Sequence, residues 1–457
     1  MAGSALRAVA TRLLGARADA FFAKGMRGRL AAVGHLLSGN FLNAAIMLVS
    51  TAIAARSLGP SVYGIMVMVL SYNRVVERIM RFECWQPVIR FAVHEELKSS
   101  PKRMGRLYAY GLLVDIGASA VAALSAILLA WLFGPHFGLT SLHLELIAIY
   151  SVATLFNIAG VPTAALRMSG EFKTLAYTQI IGTLVWVVLA FVCMAMHSGI
   201  IGFMVMWTFG QALGSLLVFV AGMRALKKMG IPNPFFVPLK GLARDFPGFF
   251  SFACSSNLSL TLRVITMEGD ALFVGAVAGP SAAAAYYIAK RFAKAATQIV
   301  AQVQAVLYPD IARMWAKGNV KAFRTAIVQV QFVLAAMGGA LLVAAYFFGP
   351  WLIRIGPGQS YHEVYGLLLT QLVAVMLVLH AAPSRSAMLA MNQSWQVLAI
   401  SGLGTVMFIG IIAYTVPRYG AIGGNIAHIL MGIVVAGLMD ICWISKSRQR
   451  PPVLQPS

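Results

Sequence analysis

The sequence predicts an all-α membrane protein of about twelve transmembrane helices in two six-helix lobes, both termini cytoplasmic. Three observations carry that prediction. Hydrophobic residues make up 60% of the 457 and charged residues only 11%, with a mean hydropathy of +0.80. A soluble chain has roughly 45–50% apolar and about 25% charged residues. Such a chain cannot clothe itself in charge, so lipid must be its solvent over most of its area. Apolar runs near or above the roughly 20 residues that span a bilayer follow one another from end to end. Lysine and arginine then crowd every second connection between them, the pattern of cytoplasmic loops.

In chain order the runs are 31–55, 63–92, 105–133, 143–168, 174–196 and 200–224, then 248–277, 281–308, 322–349, 364–388, 394–416 and 420–444. Residues 1–30 form a basic N-terminal segment. Arg7, Arg12, Arg17, Lys24, Arg27 and Arg29 interrupt it, so it does not read as a secretory signal. A basic interfacial helix is expected there; a mitochondrial transit peptide is the alternative for a stretch so rich in arginine. The N-lobe is expected over 31–226, a cytoplasmic linker with Pro232, Pro234 and Pro238 over 227–246, the C-lobe over 247–445 and a tail over 446–457.

Cations mark the inner connections: Lys98, Lys102, Arg103 and Arg106; Arg167 and Lys173; Lys227, Lys228, Lys240 and Arg244; Arg313, Lys317, Lys321 and Arg324; Lys446, Arg448 and Arg450. The connections near 135–142, 197–199 and 278–280 carry none, and Arg56, Arg354 and Arg418 are isolated exceptions. Much of the net charge of +22 is therefore topology signal, and nucleic acid is not an expected partner. The halves echo one another. Gly59-Pro60-Ser61 recurs as Gly279-Pro280-Ser281 at an offset of 220 residues, which also carries Arg74 onto Lys294. Such an echo implies a parallel repeat about an axis along the membrane normal.

Candidate chemistry lies within the spans. Arg74, Glu77, Arg78 and Arg81 recur at three to four residues and share one helix face near mid-span. Three lipid-facing arginines there would cost on the order of 8–10 kcal/mol. A closed network of ion pairs is the bland reading, but Glu77 compensates only one cation, so a wet pathway is favoured. Span 8 repeats the pattern with Tyr287, Lys290, Lys294, Gln298 and Gln302, with Arg291 beside them. Span 7 contributes Ser256, Ser259, Arg263 and Asp270 in one narrow arc, and span 1 places Asn40 and Asn43 on one face. Asp270 and Asp115 are candidate ion-coupling sites; pairing with a span 8 cation and plain packing are their respective alternatives. Arginine and lysine with few acids imply an anionic cargo, and guanidinium grips phosphate in a bidentate fork. No cofactor is expected. Cys84, Cys193, Cys254 and Cys442 lie far apart and the eight histidines are scattered, so no metal site is expected either.

At these residues the chain resembles the polysaccharide-biosynthesis branch of the MATE-like (MOP superfamily) flippases, the Wzx-type lipid-linked oligosaccharide transporters. Arg56-Ser57-Leu58-Gly59-Pro60-Ser61-Val62-Tyr63-Gly64 resembles their R-x-L-G-P-x-x-Y-G signature. Gly269-Asp270-Ala271-Leu272-Phe273-Val274-Gly275 and Tyr308-Pro309-Asp310-Ile311-Ala312-Arg313 are similar to weaker motifs of the seventh and eighth helices. The resemblance implies a central cavity lined by helices 1, 2, 7 and 8, alternating access, and a cargo of undecaprenyl-diphosphate-linked glycan for O-antigen, capsule or exopolysaccharide. It further implies an inner-membrane location, with polysaccharide polymerase and glycosyltransferases as partners. On that reading Arg74, Arg78, Arg81, Arg263, Lys290, Arg291 and Lys294 bind the anionic headgroup, while Asn40, Asn43, Glu77, Ser259 and Gln298 line the cavity. The acids Glu77 and Glu83 in span 2 depart from the family pattern.

Two other readings compete. A drug antiporter of the same fold usually carries cations and should have an acidic cavity. A membrane glycosyl polymerase or ligase should carry paired carboxylates in an outer loop, and the expected outer loops here are short. The chain is therefore expected to be a transporter and not an enzyme, and without a GxxxxGK[ST] loop it is not expected to hydrolyse ATP itself.

Overall fold

The computed structural model describes residues 24–81, 84–93, 100–134 and 139–448, apart from the side chains at 24–42, 179, 255, 256, 258–265 and 295–310. Among these residues all regular structure is helical. The basic stretch before Lys24, the acid Glu83 and the tail beyond Arg448 lie outside the described residues.

The chain opens on α1 (Lys24–Met80), which Gly59 folds into two arms, and continues as the short α2 (Trp85–Ala92). Then come α3 (Pro101–Phe133), α4 (Ser141–Phe156), α5 (Gly160–Met168), α6 (Phe172–Ala195) and α7 (Gly199–Lys228). After the one-turn α8 (Leu242–Asp245) follow α9 (Phe249–Ala278), α10 (Pro280–Ala316), α11 (Val320–Ile355), α12 (Val364–Ala390), α13 (Ser394–Tyr419) and α14 (Ala421–Lys446). Nine helical stretches among the described residues are long and apolar enough to cross a membrane. The two arms of α1 together with α2 count there as one, and α9 and α10, of 30 and 37 residues, stand outside those nine.

Two expected spans are interrupted. The run 63–92 breaks between Met80 and Trp85, and the run 143–168 breaks at Asn157–Ala159. Each break is followed by a proline in the first turn of the next helix, Pro87 or Pro162, and in an unbroken helix its ring would face the carbonyl four residues before it. A proline ring collides with that carbonyl in a continuous helix and offers it no N–H. Asp115 of α3 repairs both breaks. Its carboxylate, 3% exposed, accepts the Cys84 N–H at 3.1 Å and the Val161 N–H at 2.7 Å, the donors left over at the starts of α2 and α5.

The α1 helix is the hub. It packs on α3, α4, α6 and α7 on one side and on α9 and α10 on the other, and α10 in turn packs on α11, α12 and α14. Arg106 of α3 holds the segment that joins the two sets, donating to Asp245 Oδ2 at 2.6 Å and to the carbonyls of Pro238 and Lys240 at 3.0 and 2.9 Å.

The internal echo has a structural counterpart. Gly59 (φ 74°, ψ 170°) and Gly279 (φ 92°, ψ 167°) take the same glycine-favoured conformation, each followed by proline at the start of a helix. The two turns meet, with Ser61 Oγ and Ser281 Oγ 3.0 Å apart. Contact is so close that a Cβ on Gly64 would lie 1.9 Å from the Pro280 carbonyl oxygen. Gly64→Ala is expected to destabilise the purified protein by roughly 1–3 kcal/mol, seen as a lower melting temperature. Gly269→Ala, with nothing within 4 Å of its added methyl, is expected not to lower it.

Candidate functional site

Inward from the paired turns the helices are packed solid. Tyr63, Met66, Val67 and Leu70 of α1 meet Ala283, Ala284 and Tyr286 of α10 in the main apolar core, each at most 1% exposed. Beyond this plug the bundle opens into a cavity of about 720 Å³. Arg74 stands at its closed end, fourteen residues past Pro60, or roughly 20 Å along the helix.

One wall is charged. The second arm of α1 presents Arg74, Glu77, Arg78 and Arg81; α10 presents Tyr287, Lys290, Arg291 and Lys294; α9 adds Glu268. The facing wall is mostly apolar: Ala374, Val375, Val378 and Ala382 of α12 with Met431 and Val435 of α14. Gln371 and Arg385 of α12, Ser401 of α13 and His428 of α14 give that wall its polar points.

Several cations are held by hydrogen bonds within the charged wall. Arg74 donates to the Tyr287 hydroxyl at 2.9 Å and to Glu268 at 3.2 Å. Arg291 reaches the same hydroxyl, its Nε at 3.0 Å, so one tyrosine oxygen joins guanidinium groups from two helices. Arg81 pairs with Glu77 at 2.5 Å, and Asn157, in the break between α4 and α5, donates to Glu77 at 2.6 Å. Lys290 bonds both oxygens of Asp270 at 2.6 Å. That carboxylate, 1% exposed, also accepts from Tyr286 at 2.9 Å and lies 2.8 Å from His428 Nε2. Even so, Arg74, Arg78, Arg81, Lys290, Arg291, Lys294 and Arg385 face the cavity against Glu77 and Glu268 among the described residues, an excess of cations.

The structure thus brings together the substrate-binding candidates Arg74, Arg78, Arg81, Lys290, Arg291 and Lys294, together with Glu77. Asn43 lies away from them, bonded to Thr183 of α6. Asp270 sits behind the wall in its pairing with Lys290, and Asp115 sits at the helix breaks. The side chains of Asn40, Ser259, Arg263 and Gln298 lie outside the described residues. Of the aromatic residues Tyr72, Trp85 and Tyr287, which could contact sugars, Tyr287 lines the cavity. The Tyr72 hydroxyl is spent on the Ala126 carbonyl at 2.8 Å, and Trp85 lies under the Arg167 guanidinium. Sequence reasoning missed Glu268, Gln371, Arg385 and His428. Glu268 was discoverable as an acid in an apolar run two residues before Asp270; the others become neighbours only through the fold.

Removing one member of the Asp270 cluster tests its balance. Asp270→Ala leaves the Lys290 ammonium without its carboxylate and is expected to destabilise by roughly 3–5 kcal/mol. Adding Lys290→Met is expected to recover much of that loss, read from the melting temperatures of the two variants.

Residues 53–366 match the polysaccharide biosynthesis protein family. Inner membrane protein YghQ of Escherichia coli (strain K12) is 26% identical over 333 residues, 72% of this chain and 93% of YghQ. Among solved structures, a multidrug resistance MATE family transporter of the MOP superfamily, inward-facing, aligns with a TM-score of 0.66 at 14% identity, over 91% of this chain and 94% of that one. The lipid II flippase MurJ in its inward closed conformation aligns with a TM-score of 0.66 at 15% identity, over 89% and 87%. At such identities the likeness is one of fold: the molecule is a multi-pass membrane protein with the fold of the MOP-superfamily transporters.

Proposed function

This chain belongs to the polysaccharide biosynthesis protein family, and from that membership and the cationic cavity we infer that it is a flippase for polyprenyl-diphosphate-linked oligosaccharide. The observation that carries the reading is the bank of Arg74, Arg78, Arg81, Lys290, Arg291 and Lys294 facing one cavity at membrane depth. The headgroup diphosphate sits against those cations, where guanidinium forks match its oxygens. Sugars occupy the rest of the cavity, and the polyprenyl tail stays in lipid. Support from relatives is twofold: a protein of the same fold bears the name lipid II flippase, and YghQ bears the name inner membrane protein. The cytoplasmic membrane is the proposed location.

Both arms of α1, together with α9 and α10, each cross the bilayer in this reading, which gives about twelve crossings with both termini cytoplasmic. The lobes 31–226 and 247–445 rock about the contact between the Gly59 and Gly279 turns. That contact lies on the outer side by the charge pattern, so the cavity faces the cytoplasm, where cargo is made. The drug-antiporter reading draws on the same fold, but its cationic cargo would be repelled by this wall.

Reconstitution tests the role of the cations. Proteoliposomes loaded with a defined polyprenyl-diphosphate sugar are expected to flip it, and Arg74→Ala or Arg78→Ala is expected to slow flipping roughly 10–100-fold. Either variant, folded and flipping at the wild-type rate, would remove the headgroup assignment.

A further inference from the structure

The segment that joins the two sets of helices carries apolar side chains on its outside. Phe235, Phe236 and Leu239, shortly after α7, are 56%, 85% and 54% exposed. Loose packing does not explain them, because the backbone is pinned on both sides. The Asn233 side chain accepts the Phe235 N–H at 3.1 Å, and the Asn233 carbonyl accepts the Phe236 N–H at 3.1 Å. Pro232 packs on Gly105 of α3, where an added Cβ would come within 3.2 Å of the proline ring. Around Leu239, Arg106 grips the carbonyls of Pro238 and Lys240, and Leu242 and Phe246 are buried beyond it.

Depth identifies what covers these side chains. The ring of Phe235 lies 6.1 Å from that of Phe219 in α7. Arg224 is the first charged residue of that helix, and Phe219 precedes it by five residues, about 7.5 Å along the axis. Helical side chains also lean toward the N-terminus, here away from Arg224. Phe235 therefore lies on the membrane side of Arg224, whichever way the 6.1 Å runs. With 30 residues α7 is about 45 Å long, against a hydrocarbon core of about 30 Å, so the level of Phe219 falls inside the edge of that core. The segment turns back along α7 into the face of the bilayer and not out into water.

The charge around them suits a lipid headgroup. Arg224 and Lys227 near the end of α7, Lys240 beside Leu239 and Arg244 in α8 are all exposed. Two acids bordering the segment are taken: Asp245 pairs with Arg106, and Glu171 with Lys228. Aromatic and aliphatic side chains flanked by lysine and arginine make up segments that lie in the interface plane, with their apolar groups at the acyl boundary and their cations at the phosphates. A soluble partner would have to enter the bilayer to reach Phe235.

We propose that residues 235–244 are an interfacial anchor, in which Phe235, Phe236 and Leu239 enter the acyl region of the leaflet on the basic side of the bundle while Lys240 and Arg244 hold the headgroups of anionic phospholipid. By the charge pattern that leaflet is the cytoplasmic one. A segment expected from the sequence to be a cytoplasmic linker is thereby fixed to the membrane, and with it the joint between the two lobes. The anchor stands on packing, depth and charge and does not depend on the flippase reading.

Photocrosslinking of the full chain in lipid nanodiscs tests it. The photoreactive residue p-benzoylphenylalanine is placed at position 236, where an aromatic ring already stands clear of the protein. The discs hold equimolar dioleoyl phosphatidylglycerol and dioleoyl phosphatidylcholine, and intact mass after illumination reports which lipid is attached. Position 332 of α11 supplies the reference for unselective lipid contact, since Phe332 is 75% exposed within a stretch apolar enough to cross a membrane. Lipid adducts are expected at 236 as at 332, with an anionic-to-zwitterionic ratio roughly five- to twentyfold above the reference for one or two engaged cations. The double variant Lys240→Gln, Arg244→Gln is expected to bring that ratio down to the reference while adducts persist. Should the chain carrying the label at 236 not fold, position 239 carries the same test. Absence of lipid adducts, or adducts to a second copy of the chain in their place, overturns the anchor. A ratio equal to the reference, or unchanged by the loss of Lys240 and Arg244, overturns the headgroup assignment.

Discussion

An arginine facing lipid at the middle of a bilayer costs roughly 2.5–3.5 kcal/mol, and this chain carries a bank of cations along two helices packed together in an otherwise apolar bundle. Arg74, Arg78 and Arg81 of α1 and Lys290, Arg291 and Lys294 of α10 cannot be left in lipid, so the bundle is built around giving them somewhere else to be. The solution has two parts. A few acids and a tyrosine hydroxyl bind some of the charge within the wall, as Glu268 and Tyr287 do for Arg74. A cavity of about 720 Å³ takes the remainder. Helices that would otherwise close on one another are thereby held apart on one side and packed solid on the other, where Tyr63, Met66 and Tyr286 form the plug.

The same scarcity of solvent governs the backbone. Free N–H groups at membrane depth cost several kcal/mol each, so a broken helix needs a dedicated acceptor. Asp115 supplies one for two breaks at once, and Asn157, exposed by one of them, gives its amide to Glu77 in the cavity wall. Local interruption and charged site are thus tied together. Proline positions fix the breaks, the breaks release polar groups, and one of those groups steadies an acid among the arginines.

Much of this was legible in the residues alone. Composition and loop charge led to a polytopic helical bundle, and the family match over 53–366 bears out the resemblance read from the Arg56–Gly64 motif. The spacing of Arg74, Glu77, Arg78 and Arg81 and of Lys290 and Lys294 was enough to anticipate a shared face, because helical periodicity is local. What stayed hidden is what depends on contacts distant in sequence. Arg385 was missed because nothing local shows that α12 brings it to the cavity. Asp115 read as a candidate ion site because its two partners are backbone amides, which no side-chain pattern reveals. The breaks between Met80 and Trp85 and at 157–159 were in fact signalled by Pro87 and Pro162, a cue outweighed by the apolar runs around them.

Affinity as a function of headgroup charge is the most direct measure of the central claim, that buried cations hold an anionic cargo. Calorimetric titration of the purified protein would compare a short-chain polyprenyl-diphosphate sugar, the corresponding monophosphate and the uncharged polyprenol. Binding is predicted to weaken in that order and to weaken further with added salt. Equal affinity for the diphosphate lipid and the uncharged polyprenol would contradict it.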